Sequence, residues 1–380
     1  MTFPVDLSEV VDHVDDALAK YVNDIEAKIG IDDSAVTTSL DYRSKVLMPM
    51  HSMARQAIIN GNFDVWQRLT TVTNPAASIF TADRWLTFGS IDTPPTNIVH
   101  SRQAQAVGDL FGSYYFYRIA PDGAGSVIAT NSYGILQKIE HGTRYLCGAS
   151  KTVTVSFYAR SSIADKKLGI YAVQRYGSGG SPTANETING TNWTLTTSWV
   201  KYTHTFTTNT LVGKTFGTAN DDNLQFLIGT AWGTTTDEIF GADGEETMVG
   251  SGNIDIAQIQ LCAGDVALPF QPKSYEDELR ACQRYFIKDG TNLEYPCAFI
   301  SSTTTNAWGR VTFPTTMRDT PTVLLYRQNT SDSVDEYGTG AVAGCTAVGI
   351  TDQGFSRINT TNTWADNAAI RFGYTATSEL

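Results

Sequence analysis

The sequence predicts a mainly β protein that begins with a coiled-coil helix, and three observations support this fold class. Apolar residues among the first thirty positions recur in alternating steps of four and three, which is coiled-coil spacing. From Ile58 onward, short β-rich runs alternate with clusters of Gly, Asn, Thr, Ser and Pro, a pattern typical of an all-β sandwich or barrel. After Pro272 a short helical segment precedes further strands, which indicates a second, smaller β domain.

The N-terminal helix is predicted within residues 1–52. One face of it carries six apolar residues, Leu7, Val11, Val14, Leu18, Tyr21 and Ile25. Three heptads do not form a stable isolated helix in water, so this face must be buried against other helices or against the protein's own domain. Because Gly30 ends the helix and the polar connector from Ile31 to Met50 has no core of its own, we favour association between helices.

The first β domain is predicted over residues 53–273, and Pro269 and Pro272 mark its exit. Its clearest strands alternate apolar and polar residues, as a half-buried sheet does, at residues 153–159, 168–176, 199–207, 224–228 and 254–261. Long Gly-rich and Thr-rich loops are predicted at residues 177–193 and 229–252, and loops of this length often carry function.

The C-terminal β domain is predicted over residues 274–380. Ser274 is a suitable N-cap, and the acidic residues that follow it favour a helix that runs to about Ile287. Further strands are predicted at residues 298–301, 309–313, 322–326, 347–350, 354–358 and 369–374.

Charge and cysteine content exclude several classes of partner. The chain has 380 residues with 27 Lys and Arg against 39 Asp and Glu, and no basic run could neutralise a row of phosphates, so nucleic acid is not expected as a partner. No apolar stretch is long enough for a membrane span, and we expect neither insertion nor a signal peptide. The five cysteines are odd in number and widely spaced, which predicts free thiols and folding in a reducing cytoplasm.

Catalytic and metal-binding motifs do not stand out. The five histidines are scattered, and none lies in a nucleophile or metal motif, so we predict a protein that is not an enzyme and needs no cofactor. Two carboxylates on neighbouring strands could still form a glycan-cleaving pair. One acidic segment could bind a hard cation or remain a solvated loop: Asp237, Glu238, Asp243, Glu245 and Glu246. Its spacing matches no EF-hand pattern, so metal ligands stay unassigned.

Aromatic residues beside the long loops are the candidate ligand-binding residues. A flat ring can cover the apolar face of a sugar while neighbouring groups bind its hydroxyls. Tyr176 and Trp193 flank the first long loop, and Trp232 lies in the second. Packing in the sandwich core is the competing interpretation for all three. The remaining large aromatics of the strand patterns are assigned to packing: Trp66, Trp85, Trp199 and Phe206.

Several segments resemble, in order, a β-jelly-roll module of phage tail-fibre and related virion proteins. The opening consists of INGNFDVWQR at residues 59–68 and TADRW at residues 81–85. The later segments 153–160, 199–207 and 254–270 are similar to the layout of carbohydrate-binding-module-like sandwiches. Two linkers of such virion proteins also have counterparts, LRACQRYF at residues 279–286 and SAVTTSLDYR at residues 34–43.

This resemblance implies a homotrimeric fibre of a phage virion, made in the cytoplasm of the bacterial host. The apolar face of residues 7–25 would then form a trimeric coiled coil, and the N-terminal segment would dock on other virion proteins. The jelly roll would bind a host-surface polysaccharide. Tail and head positions both fit, and the alternatives are a head fibre or capsid-decorating protein without an essential receptor role, or a glycan depolymerase.

Overall fold

The computed structural model describes residues 53–290, 297–327, 330–337 and 339–380. This part of the chain is mainly β, as the sequence predicts. The predicted coiled-coil residues, from Leu7 to Ile25, and the linker that follows them lie outside the described residues. Their association into a trimer therefore stays a prediction.

Residues 71–263 form a sandwich of two antiparallel sheets. Its strands are, in chain order, β1 (Thr71–Thr73), β2 (Leu86–Gly89), β3 (Ile98–Ala104), β4 (Tyr115–Pro121), β5 (Ala124–Gly125), β6 (Ser132–Glu140), β7 (Thr152–Ser161), β8 (Lys167–Arg175), β9 (Glu186–Thr194), β10 (Val200–Thr207), β11 (Asn223–Trp232), β12 (Met248–Val249) and β13 (Ile254–Ala263). A short helix α1 (Gly142–Leu146) and a 3-10 helix (Glu238–Phe240) interrupt them. The six-stranded sheet has the order β1-β3-β4-β13-β7-β10, the five-stranded sheet has the order β2-β6-β11-β8-β9, and β5 pairs with β12. The predicted β-sandwich is confirmed.

The core between the two sheets consists of the alternating apolar residues that mark the strands in the sequence. Val153, Val155 and Phe157 of β7 are buried in the same cluster as Leu224 and Phe226 of β11. Full burial of one such side chain contributes roughly 1.5–3 kcal/mol of hydrophobic free energy. The apolar residues whose alternation predicts these strands therefore also hold the two sheets together.

A second apolar layer covers the outer face of the five-stranded sheet. Tyr171, Leu227 and Trp232 lie on this face, and Phe240 of the segment after β11 packs onto it. All ten residues of β11 are consequently buried. The two long loops are shorter than predicted, because β9 occupies residues 186–194 and β11 continues to Trp232.

The C-terminal part consists of one helix and a curled sheet. The elements are α2 (Tyr275–Gln283), β14 (Phe286–Asp289), β15 (Cys297–Thr303), β16 (Asn306–Thr312), β17 (Thr322–Arg327), β18 (Thr330–Ser331), β19 (Ser333–Glu336), β20 (Gly340–Ala343), β21 (Cys345–Val348), β22 (Gly354–Thr360) and β23 (Ala369–Thr377). The long strand β23 pairs with β14, β15, β17 and β19. β20 pairs with β19 and β21 pairs with β22, so the sheet curls around a core that contains Phe299, Phe355 and Phe372.

The predicted cap of α2 is present, but the helix ends earlier than expected. The Ser274 hydroxyl oxygen accepts a hydrogen bond of 3.1 Å from the backbone amide of Asp277. The helix stops at Gln283 instead of about Ile287, because Phe286 and Ile287 pair with β23 as the strand β14. Tertiary pairing overrides the helical pattern at this point.

A set of buried polar contacts joins the sandwich to the C-terminal part. We call this contact the buried joint; it consists of Arg68, Asp83, Arg84, Glu140, Arg284, Tyr285 and Glu379. Arg84 is only 2% exposed, pairs with the Glu379 carboxylate and donates a 2.7 Å hydrogen bond to the carbonyl oxygen of Lys138. Its guanidinium carbon lies 3.5 Å from the centre of the Tyr285 ring. Arg68 pairs with Asp83 at 3.4 Å and with Glu379 at 3.1 Å.

The second half of the buried joint is centred on Glu140. Its carboxylate accepts two hydrogen bonds of 3.0 and 2.9 Å from Arg284 and one of 2.7 Å from the Tyr285 hydroxyl. Asp83, the partner of Arg68 in the buried joint, has a pKa that burial raises to about 6. Because Asp83 and Arg84 both lie in TADRW, this segment holds the C-terminal part against the sandwich.

Candidate functional site

Two of the three predicted ligand-binding aromatics are buried. Trp232 is stacked against Phe240 with ring centroids 4.7 Å apart, and its indole nitrogen donates to the Gly244 carbonyl oxygen at 3.0 Å. The Tyr176 side chain is also enclosed, and its hydroxyl donates to the Glu186 carboxylate. The structure thus has both rings in packing positions, Tyr176 against Phe216 and Trp232 against Phe240.

Trp193 is partly buried on β9, the edge strand of the five-stranded sheet. Its ring contacts Phe157 and Tyr202 at centroid distances of 5.7 and 5.3 Å, so it closes one side of the main core. Trp232 belongs to the apolar layer on the opposite face of that sheet. The structure therefore does not bring the predicted aromatics together into one site.

The acidic segment 237–246 is engaged in local structure. The Asp237 side chain accepts hydrogen bonds from the backbone amides of Glu238 and Gly244, which caps the 3-10 helix. Glu246 accepts a 2.7 Å hydrogen bond from the buried Lys166 ammonium. Across the described ranges, no group of three or more His, Cys, Asp or Glu side chains is placed to hold a metal ion.

A polar pocket lies on the outer face of the six-stranded sheet. Strand pairing places Asp255 of β13 directly between Arg118 of β4 and Arg160 of β7. Neighbouring strands are about 4.8 Å apart, so these three side chains form a continuous row across the sheet. The pocket has a volume of about 220 Å³ and is lined by Arg118, Arg160, Ser161, Ser162, Thr197, Asn253 and Asp255.

Asp255 organises the two arginines of the pocket. Its carboxylate accepts hydrogen bonds of 2.7 and 2.9 Å from Arg118 and one of 3.0 Å from Arg160. The Asp255 side chain is 3% exposed, whereas the Arg118 and Arg160 side chains are each 24% exposed. These hydrogen bonds raise the pKa of Arg118 above its ordinary value.

Trp199 and the 105–114 loop border the pocket. Asp109 of this loop pairs with Arg160 at 3.1 Å and accepts a 2.9 Å hydrogen bond from the indole nitrogen of Trp199. The Arg160 guanidinium carbon lies 4.5 Å from the Trp199 ring centre. Phe116 packs edge-on against the same ring at 5.4 Å. The rings of Trp199 and Phe116 therefore lie beside the row of charged groups.

The 105–114 loop carries three strongly exposed apolar side chains, Val107, Phe111 and Tyr114. Its base is closed by a 2.9 Å hydrogen bond from the Gln105 amide to the Tyr114 carbonyl oxygen, and Gln258 holds its middle by donating a 2.6 Å hydrogen bond to the carbonyl oxygen of Phe111. Gln258 has a positive φ of 51° and lies in a bulge of β13, where the extra residue turns the side chain toward the loop. The loop thus presents apolar groups next to a polar pocket.

A second groove, of about 280 Å³, is less suited to a polar ligand. Its walls include Pro75, Pro94 and Pro95, and its floor includes Tyr133. The Tyr133 hydroxyl is already hydrogen-bonded to His100 at 2.7 Å, and burial lowers the pKa of this histidine to about 3. With the polar group of its floor already satisfied, the groove offers little that could orient a ligand.

The polar pocket has the chemistry of a binding site. Two guanidinium groups, two carboxylates, hydroxyls and an amide converge beside an aromatic ring. Sequence reasoning missed this site and assigned Trp199 to packing. Strand alternation places Arg118, Arg160 and Asp255 on outward positions, but only the strand order and register, which a single sequence does not contain, bring them together.

Comparisons with known proteins show similarity to carbohydrate-binding sandwiches and a phage tailspike. No protein-family model and no curated protein sequence matches the chain. The N-terminal cellulose-binding domain of a Cellulomonas fimi glucanase is 13% identical, with 48% of this chain and 90% of that domain covered at a TM-score of 0.28. A xylan-binding domain from Paenibacillus barcinonensis is 12% identical, with 53% and 99% covered at a TM-score of 0.27.

The enzymatically active domain of tailspike protein 4 from bacteriophage CBA120 is 10% identical, at a TM-score of 0.29. The match covers 50% of this chain but only 21% of that one. Similarity at this level does not transfer a ligand or an activity to this chain. Among the described residues, no helix has the length and apolar character needed to span a membrane.

Proposed function

We propose that this protein is a non-catalytic glycan-binding component of a phage fibre, and that it binds its glycan in the pocket formed by Arg118, Asp255 and Arg160. The observation that supports this proposal is the convergence of hydrogen-bonding groups from three strands beside the Trp199 ring. Tyr176, Trp193 and Trp232 are not part of the proposed site.

The chemistry of the pocket suits a polyhydroxylated ligand. Each sugar hydroxyl both donates and accepts hydrogen bonds, and the pocket supplies groups of both kinds. Among the described contacts, Arg118 uses Nε and Nη2 for Asp255, which leaves its Nη1 hydrogens for a ligand. Ser162, Thr197 and Asn253 add hydroxyl and amide groups around the opening. The partly exposed Trp199 ring can contact the apolar face of a sugar.

A binding role fits this pocket better than a glycan-cleaving role. A glycosidase needs one carboxyl group free to protonate the leaving oxygen and a second free to act as nucleophile or base. Both Asp255 oxygens are occupied by guanidinium groups, and Asp109 is bound to Arg160 and Trp199. Release of reducing ends from host polysaccharide by the purified protein would favour a depolymerase instead.

The fibre role rests on the sequence resemblance of residues 59–85 and 254–270. In the proposed fibre, residues 7–25 form a trimeric coiled coil, the N-terminal segment docks on other virion proteins, and three copies of the pocket face the host together. Weak sites become effective when several engage one surface at the same time. If particles that lack this protein adsorb normally but fall apart sooner, a head fibre or capsid-decorating role replaces the receptor-binding role.

The pocket is tested by a conservative variant of the full chain. Arg118→Lys keeps the positive charge but loses the two-pronged contact with Asp255, so glycan binding should weaken by about tenfold. Arg280→Lys is the matched control, because Arg280 lies on the exposed face of α2. Binding is measured on an array of bacterial surface polysaccharides, with circular dichroism as the check on folding. Equal binding by both variants would exclude this pocket.

A further inference from the structure

We infer that Asp109 determines the charge selectivity of the pocket, so that the protein accepts neutral glycans and rejects carboxylated or phosphorylated ones. This inference rests on the proposed glycan-binding function. It concerns a residue of the exposed 105–114 loop that contacts the pocket from outside the sheet.

The charges of the pocket are balanced within the protein. Arg118 and Arg160 contribute two positive charges, and Asp255 and Asp109 contribute two negative charges. All four groups are linked by nitrogen–oxygen distances of 2.7 to 3.1 Å. An anionic ligand therefore meets guanidinium groups that are already paired, together with two carboxylates that repel it.

The two carboxylates differ in how firmly they are held. Asp255 is buried between both arginines and is part of the sheet, whereas Asp109 is 32% exposed and belongs to a loop. Removing Asp255 would disturb both arginines, but removing the charge of Asp109 leaves the Arg118–Asp255–Arg160 row intact. Asp109 therefore contributes to the net charge of the pocket, but the Arg118–Asp255–Arg160 row does not depend on it.

Asp109 also positions Trp199, because one of its oxygens accepts from both the indole nitrogen and Arg160. An asparagine can keep an acceptor oxygen at this position while it loses the charge. Asp109→Asn therefore separates the electrostatic role from the positioning role. The variant pocket would carry a net positive charge, and the Arg160 guanidinium would become available to an acidic sugar.

The experiment compares wild-type full chain, Asp109→Asn and Glu276→Gln on matched pairs of neutral and carboxylated oligosaccharides. Glu276→Gln changes the total charge of the protein equally, but Glu276 lies on α2, with its side chain 80% exposed. Wild-type protein and Glu276→Gln should bind the neutral member of each pair. Asp109→Asn should gain about tenfold in affinity for the carboxylated member, and added salt should weaken that gain.

The outcomes separate the inference from the proposed function. If wild-type protein prefers carboxylated glycans, or if Asp109→Asn leaves the preference unchanged, Asp109 does not set the selectivity, while glycan binding stands. If Asp109→Asn instead loses neutral and carboxylated ligands alike, Asp109 is a positioning residue only and the inference is overturned. If wild-type protein binds no glycan of either kind, the proposed function fails and the inference fails with it.

Discussion

The buried joint and the polar pocket contain the same chemistry in different surroundings. In each, arginines and carboxylates from distant parts of the chain form a connected network beside an aromatic ring. In the joint, Arg84 is almost completely enclosed and the network holds two parts of the fold together. In the pocket, the Arg118 and Arg160 side chains are each 24% exposed. We expect the enclosed Arg84 pair to act mainly on stability and the partly exposed arginines of the pocket to remain accessible to a ligand.

The largest expected effect comes from breaking the buried joint. Arg84→Met should lower the free energy of unfolding by about 3–5 kcal/mol, because Glu379 loses a partner in an enclosed site. Urea unfolding of the full chain measures this change. The double variant Arg84→Met with Glu379→Leu should recover part of the loss. Arg280→Met on the exposed face of α2 is the control, and a loss no larger for Arg84→Met than for this control would contradict the structural role of the joint.

A smaller loss of stability is expected in the pocket. Asp255→Asn should lower the free energy of unfolding by about 2 kcal/mol, since the two arginines it leaves remain partly solvated. Glycan binding should nevertheless fall by more than tenfold, because Arg118 and Arg160 lose the charged carboxylate that holds them in place. Unfolding and binding are measured on the same preparation. A stability loss as large as that of Arg84→Met would show that the pocket is mainly structural.

The smallest effect is a pH dependence of stability. Burial raises the pKa of Asp64 and of Asp83 from 3.8 to about 6, so the folded state holds these protons more tightly than the unfolded chain. Each of these two groups should therefore add about 1 kcal/mol to the free energy of unfolding as the pH falls from 7 to 5. His100, whose pKa burial lowers to about 3, acts in the opposite direction over the same range, because the unfolded chain takes up a proton there and the folded protein does not. The measurement is therefore the difference between variants: Asp64→Asn should gain about 1 kcal/mol less than the wild-type protein between pH 7 and 5. Equal pH dependence of the wild-type protein and Asp64→Asn would contradict the raised pKa of Asp64.

The alternation of apolar and polar residues was sufficient to predict the main strands of the sandwich, as Val153, Val155 and Phe157 illustrate. It could not predict that the segment after β11 folds back and buries Trp232, because that contact is tertiary. For the same reason, Phe286 and Ile287 looked helical until their pairing partners in β23 were known. The coiled coil, the trimer and the virion position remain predictions.

The candidate site shows where sequence reasoning stops. Arg118 and Asp255 are adjacent in the sheet although 137 positions separate them in the chain. Each residue alone looks like an ordinary outward-facing strand residue, and no spacing rule connects them. Aromatic residues were predicted as ligand contacts because a flat ring can cover the apolar face of a sugar, but in this fold most of them are packed in the core. A site formed by common polar residues becomes visible only through strand order and register.

The tethered 105–114 loop has a consequence for protein engineering and for the evolution of specificity. Asp109 and the backbone contact of Phe111 with Gln258 hold the middle of the loop, whereas the side chains of Val107 and Phe111 are strongly exposed. Substitution of the Val107 or Phe111 side chain would therefore change what the protein contacts, while the hydrogen bonds of Asp109 and of the Phe111 carbonyl oxygen keep the loop beside the pocket.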